Sequence, residues 1–457
     1  MRPPQEVIEE VLDAAGGECV VLVEESSEAE VRFANNTTTT NGVRLDRRVT
    51  AVRFENVPGG IAAGVARRSG EVDAVDLARA AGADARDGSP ADDAEPLLAG
   101  TEQTDYGDEP GSTDLDAIAG PLASLAGAFD RARGEGRVLS GFAEHRVATT
   151  YLGTSTGLRR RHLQPTGALH LVARSEDGTR SAWAGSAGPE PVPGAVDDLE
   201  ERVCRGLSWS ARRLELPAGR YEVVLPPAAV ADLMVGLAEA ASGRQAEEGR
   251  TVFSAPDGRT RVGETLMALP FDLWSDPAAT GLECAPFLAT SASSSDVSVF
   301  DNGLPIERVD WISGGALRRL RYHRAGAARS GVEVTPPVDN LVLDLPGADS
   351  DVDDLVARTE RGLLLTCLWY IREVDPSTLL LTGLTRDGVY VVEDGKVVGA
   401  ANNFRFNESP LDLLVRVSEV GRAERTLGRE FGEWVNRTRM PPLRIPDFNM
   451  SSVSPAS

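Results

Sequence analysis

A chain of 457 residues exceeds what one hydrophobic core supports, since single cores stop growing at about 250–300 residues, so at least two packed units are expected. Charged residues make up 26% and the hydrophobic set 41%, and no apolar run approaches the ~18–20 residues of a membrane span, which excludes a membrane-crossing helix. The net charge of −23 opposes docking on nucleic acid or anionic lipid, because such surfaces are bound through a basic face that displaces counterions.

The opening residues, MRPPQEVIEEVLDAAG, put Glu6, Glu9 and Glu10 where a signal peptide needs an apolar stretch. They spell an amphipathic helix, and a cytoplasmic location is expected. After this helix (residues 4–16) the pattern predicts strands at Cys19–Glu25, Ala29–Ala34, Thr50–Phe54 and Gly60–Arg67, then a helix at Val72–Ala83. Residues 1–83 thus read as one α+β unit. Residues 84–115 read as an acidic linker or loop, with ten Asp or Glu from Asp84 to Asp114 against the single Arg86.

A second α+β unit spans residues 116–214, with helices near Ile118–Arg133 and Val196–Arg213. Between them, strands are predicted at Arg137–His145, Ala148–Leu152, Leu169–Ala173 and Arg180–Ala184. Its order echoes the first unit. A Thr/Ser-rich turn, a glycine and a basic cluster also recur, as NNTTTTNGVRLDRR from Asn35 and GTSTGLRRRH from Gly153, which suggests an internal duplication.

Residues 215–457 read as a β-rich, barrel-like C-terminal domain around a central helix. A strand at Tyr221–Leu225 leads to Pro226 and Pro227, suited to a helix start, and to an apolar run in which Val230, Leu233, Met234, Leu237 and Ala240 form a stripe broad enough to be buried. A strand is expected from Thr251, with further helices at Asp353–Arg361 and Pro410–Val420. A hairpin is expected around Asp394-Gly395. The fold class is α+β: a duplicated N-terminal region followed by this domain.

Candidate chemistry is sparse. Cys19, Cys204, Cys284 and Cys367 are far apart in apolar contexts and read as buried free thiols. His145, His162, His170 and His323 never fall at metal-pair spacing on a helix. Gly153-Thr154-Ser155-Thr156-Gly157 matches the G-x-S-x-G nucleophile elbow, but another strand rather than a helix follows, so a turn is expected at Ser155; an autonomous hydrolase using Ser155 is kept as an alternative, alongside a non-enzymatic peptide-binding scaffold. The clusters Arg159–Arg161 and Arg318–Arg321 suit a partner or acidic-peptide surface better than nucleic acid, given the overall charge. Asp349–Asp354 reads as an acidic helix N-terminus.

Several stretches in order, RFANNTTTTNG at Arg32–Gly42, GRQAEEGRTVFS after the central helix, DVSVFDNGLPIER at Asp296–Arg308, GLLLTCLWYIREVDPST at Gly362–Thr378 and then DGVYVVEDGKVVGAANNFRFN, resemble the TldD/PmbA family. That family was once described as modulators of DNA gyrase and is regarded as cytoplasmic metallopeptidases acting on unfolded peptides. The resemblance implies a zinc-bearing HExxxH helix and a cysteine ligand near the C-terminus in the active subunit. Here the central helix places Met234 and Glu239 where the histidines would stand and Val235 at the glutamate. No histidine lies between His170 and His323, and no cysteine follows Cys367. The pattern resembles the metal-free PmbA (TldE) type, with no metal or cofactor in this chain and zinc expected in a TldD-like partner, in a heterodimer or, failing that, with the chain pairing as a homodimer. Where the family has a glycine-rich loop, this chain has Leu368–Glu373; Arg372, Glu373, Asn402 and Asn403 are the implied substrate-binding positions.

Overall fold

The computed structural model describes residues 2–192 and 194–454. The N-terminal region begins with α1 (Pro4–Ala15), whose Val7, Ile8, Val11 and Leu12 face inward at helical spacing and whose end is closed by Gly16 at φ 62°. Next come β1 (Cys19–Ala34), β2 (Thr37–Val57), β3 (Gly60–Ser69) and α2 (Ala74–Asp87). The second half repeats this plan with α3 (Asp116–Ala119), α4 (Leu125–Gly134), β4 (Arg137–Thr154), β5 (Arg159–Ser175), β6 (Ser181–Gly188) and α5 (Ala195–Trp209).

All six strands join one antiparallel sheet in the order β3-β2-β1-β4-β5-β6, with Val20 opposite Thr154 and Phe33 opposite Gly141 at the β1–β4 junction. The order reads the same from either end. Helix α2 packs on β2 and β3 as α5 packs on β5 and β6, so the two halves are related by an approximate two-fold axis between β1 and β4, as a duplication produces.

Several expected boundaries shift for identifiable reasons. The Thr-rich run after Asn35 is a strand, not a turn: Asn35 and Asn36, at φ 51° and 57°, make a two-residue hairpin by themselves, and Thr37–Asp46 extends β2 while fully exposed. The helix expected at Ile118–Arg133 is split into α3 and α4 around Gly120-Pro121, because proline lacks the N–H that would carry the helix on. The acidic stretch beyond α2 is irregular but pinned. The Gln103 N–H donates to Arg159 O at 3.1 Å, Arg161 reaches Asp105 and the Glu109 carbonyl, and Leu97 and Tyr106 are buried. Arg159 meanwhile holds Glu9 at 2.7 Å, so this basic run is occupied within the chain.

The C-terminal region opens with β7 (Arg213–Leu214), β8 (Gly219–Leu225) and α6 (Pro227–Glu239). Strand β8 lies inside a ten-stranded mixed sheet, between the antiparallel strand Leu443–Val453 and the parallel strand Arg361–Leu365. A second sheet of six short strands contains Asp272–Ser275 and Leu341–Asp344. The domain is β-rich as expected, but among the described residues its sheets stay open and form no closed barrel. Helix α6 belongs to one continuous core with Val223, Leu225, Leu381 and Phe406 of the large sheet and Leu273, Ile312 and Leu341 of the small one.

The hairpin around Asp394-Gly395 forms with both residues at positive φ, and Asp351 caps the helix Val352–Ala357 in a capping box with Asp354. No strand starts at Thr251; there the Ser254 N–H turns back to the Thr251 carbonyl at 3.1 Å. The two regions share a smaller core in which Phe287, Val299 and Phe300 pack on Val20, Leu22, Phe54 and Leu152 of the N-terminal sheet.

Candidate functional site

Helix α6 starts where the sequence places it. Pro226 is the N-cap and Pro227 the first helical residue, where a missing N–H costs nothing. Its apolar residues are buried almost all round, yet one acid, Asp232, is buried with them at 1% exposure. The Asp232 carboxylate accepts the backbone N–H groups of Arg429 (2.9 Å), Glu430 (3.1 Å) and Phe431 (3.1 Å). A lone acid inside an apolar helix thus fixes a remote loop. Glu430, held in that loop, accepts the backbone N–H groups of Tyr370 and Ile371 and pairs with Arg372 at 3.2 Å.

The C-terminal half of α6 faces a cavity of about 560 Å³ between the two regions of the chain. Val235, Ala238 and Glu239 form its α6 wall, Leu22, Glu24 and Thr150 of β1 and β4 another, and Phe287, Trp311 and Trp434 add aromatic surface. Arg321 enters from the side. Its guanidinium donates to the Glu239 carbonyl at 2.7 Å and pairs with Asp296 at 2.9 Å, so a cation sits at the C-terminal end of the helix, where the dipole favours it.

Of the three positions matched to the HExxxH helix, Val235 and Glu239 reach the cavity, whereas Met234 is 1% exposed and packs into the core. These residues do not fit zinc. The donors zinc takes are thiolate, imidazole and carboxylate, and Val235 and Met234 present none of them. The cavity acids are each beside an arginine: Glu239 lies 3.7 Å from Arg321, Asp339 2.8 Å from Arg437 and Glu24 3.8 Å from Arg48. Among the described residues, no three His, Cys, Asp or Glu side chains converge to hold a metal.

The remaining candidates are placed elsewhere. Burial pushes the Cys19 and Cys284 thiols up to about 12 and also raises Cys367 well above its ordinary value, so these thiols stay protonated at neutral pH. His170 is stacked on Phe142 and held down at about 4, chiefly by burial; His323 caps a helix through Nδ1. Ser155 lies in the β4–β5 turn, where its hydroxyl accepts the Cys19 N–H at 3.1 Å and strand β5 follows.

Arg372 and Glu373 lie on the strand Leu368–Asp375, and Arg372 is linked to α6 through Glu430 and Asp232. Asn402 and Asn403 are outside the cavity: Asn402 Oδ1 accepts the Leu216 N–H at 2.7 Å, and Asn403 lines a separate pocket. Asp232 and Glu430 have no place in the sequence analysis, and Arg321 enters it only as a member of a surface cluster, not as a neighbour of α6. The one local signal was Asp232 itself, an acid flanked by Ala231 and Leu233 in an otherwise apolar helix.

Solved structures share this fold over nearly the whole chain. TldE from Thermococcus kodakarensis superposes with a TM-score of 0.77 at 17% identity, covering 97% of this chain and 99% of that one. Candidate modulators of DNA gyrase from Bacteroides thetaiotaomicron (TM-score 0.75, 15% identity, 98% and 99% covered) and Thermotoga maritima (0.74, 17%, 97% and 99%) are similar to the same extent. The fold is therefore one that TldE and such gyrase-modulator candidates also adopt. Residues 218–452 match the model of the PmbA/TldA metallopeptidase C-terminal domain, and the chain belongs to the PmbA/TldD metallopeptidase-related family. No curated protein sequence matches it. Among the described residues no helix is long and apolar enough to cross a membrane.

Proposed function

We propose that this chain is the metal-free, TldE-type subunit of a cytoplasmic TldD/TldE-type peptidase complex that acts on unfolded peptides. It contributes substrate-binding wall and pairing surface, while a TldD-like partner carries the zinc. The observation that carries this reading is the face α6 turns to the cavity: a valine methyl and an arginine-neighboured glutamate at positions where the family's active helix bears its ligands and base. Without that set no bound water is lowered in pKa and no carbonyl is polarised by a metal. The cavity suits peptide handling, because aromatic and aliphatic walls take side chains and a few polar groups orient them.

The reading is tested by purifying the chain alone and together with a TldD-like subunit, then measuring zinc by elemental analysis and cleavage of an unfolded peptide. The pair is expected to carry zinc and cleave, and the lone chain to do neither. Stoichiometric zinc with cleavage by the lone chain would sink the proposal.

A further inference from the structure

A second cavity, of about 380 Å³, opens where the β5–β6 hairpin meets the C-terminal sheet. Its walls carry four arginines: Arg174 and Arg180 from the hairpin, Arg213 from β7 and Arg386 from the turn before the strand Val389–Glu393. Among the described residues, the only acid in the lining is Asp387. On a chain of net charge −23 this is a local reversal of sign.

Elsewhere arginines commonly meet carboxylates, as Arg131 does Glu200 and Arg437 does Asp339. Here they largely do not. Among the described residues no carboxylate lies within ion-pair distance of Arg174, Arg180 or Arg213. Among the described residues the Arg213 guanidinium donates only to the Thr179 carbonyl at 3.3 Å, and the Arg180 guanidinium only to the Leu207 carbonyl at 3.5 Å. Arg386 approaches Asp387 no closer than 3.7 Å, and Asp387 already accepts the Ser181 hydroxyl. The neighbouring hairpin acid, Asp177, is turned into its own loop, where the Ser175 hydroxyl and the Thr179 N–H and hydroxyl hold it.

The frame around these cations is fixed. The Ser175 N–H closes the hairpin on the Arg180 carbonyl at 3.0 Å, and the Thr366 N–H holds the Arg386–Gly388 turn through the Gly388 carbonyl at 2.9 Å. Gly388 is at φ 155°, and a Cβ there would stand 1.8 Å from Thr366 Oγ1, so the turn has no room to relax. Like charges held together in this way repel unless an anion joins them. Guanidinium forks suit phosphate and carboxylate oxygens equally. Among the described residues no aromatic ring lines the cavity, so they offer no stacking platform for a base. Its volume suits a small molecule.

We propose that this pocket binds a small polyanion through phosphate or carboxylate oxygens, with Arg174, Arg180, Arg213 and Arg386 as its cationic walls. The proposal goes beyond the peptidase reading and stands independently of it.

The full chain is titrated calorimetrically with pyrophosphate and, in a second arm, with citrate, at ionic strength held constant with potassium chloride. Saturable binding of at least one is expected; preference for pyrophosphate assigns the pocket to phosphoryl compounds and preference for citrate to polycarboxylates. Arg174→Gln and Arg213→Gln, both at exposed positions, should each weaken binding at least about tenfold, the scale of one lost charge-assisted hydrogen bond. Arg146→Gln, which removes an exposed arginine on β4 outside the pocket, should leave binding unchanged. The proposal is overturned if neither anion binds saturably, if the pocket variants bind as the parent does, or if Arg146→Gln weakens binding as much as they do.

Discussion

The backbone N–H of Arg429 donates to the Asp232 carboxylate at 2.9 Å, tying a loop near the C-terminus to the middle of the central helix. Burial is the largest influence on this carboxyl and pushes it up to about 7, against the pull of three N–H donors. In the unfolded chain it titrates at about 3.9. Between those values the folded chain keeps a proton that the unfolded chain has released, so this residue's contribution to stability is complete below about pH 4 and is lost as pH rises through about 7. Asp232→Asn cannot titrate. The stability of the parent relative to this variant is therefore expected to fall, by on the order of 2 kcal/mol, between about pH 5 and about pH 8. Urea midpoints of both proteins at the two pH values check this, and parallel pH profiles would contradict it.

The three positions matched to the family's metal helix should separate by their packing. Met234 is enclosed by the core, so Met234→Ala is expected to cost about 2–5 kcal/mol through lost burial and a residual cavity. Val235 has the open cavity on one side, and Val235→Ala should cost less than about 1.5 kcal/mol. Glu239→Ala should stay within about 0.5 kcal/mol, because its side chain is 70% exposed and its contact with Arg321 is long. Equilibrium unfolding of the three variants tests the ranking Met234, Val235, Glu239.

What the sequence made readable follows from which interactions are local. Helix α6 was legible because its signals, two prolines and an unbroken apolar face, lie within it. The hairpin at Asp394-Gly395 was legible because left-handed backbone there selects those residue types. The strand Thr37–Asp46 was not, because a strand exposed on both faces has no alternation to betray it. The site is the extreme case. Val235 and Glu239 enter the reading only through what the family resemblance implies, and the partners of Asp232 lie 197 to 199 residues further along, with nothing near Asp232 to announce them. Arg321 read as one of a cluster on a partner or acidic-peptide surface, whereas its guanidinium is nearly buried against α6.

The joint between the two regions rests on Phe300, which is 1% exposed and lies 4.6 Å from the Phe54 ring. Phe300→Ala is expected to cost about 3–5 kcal/mol. Because the lost contacts bridge the N-terminal sheet and the C-terminal domain, unfolding should also split: the intrinsic tryptophan signal, weighted to the C-terminal region by Trp274, Trp311, Trp369 and Trp434, and the loss of helicity, weighted to the N-terminal region by α1, α2 and α5, should no longer coincide. Fluorescence and far-ultraviolet circular dichroism across one urea series would reveal the split, and coincident transitions would show that Phe300 supports only one region.

Arg321 gives the sharpest distinction between charge and shape at the cavity. It bridges the Glu239 carbonyl at the end of α6 and the Asp296 carboxylate, whose side chain is mostly buried. Arg321→Ala leaves Asp296 without its cation and is expected to cost about 3 kcal/mol, the scale of breaking a buried pair by removing one partner. Arg321→Lys restores the charge but not the planar fork that serves both acceptors at once, so it should recover only part of that loss. If the bridge also shapes the cavity, Arg321→Lys should lower binding of an unfolded peptide to the chain, alone or with the proposed partner, more than its stability loss predicts. Full recovery of both stability and binding by lysine would reduce Arg321 to a point charge.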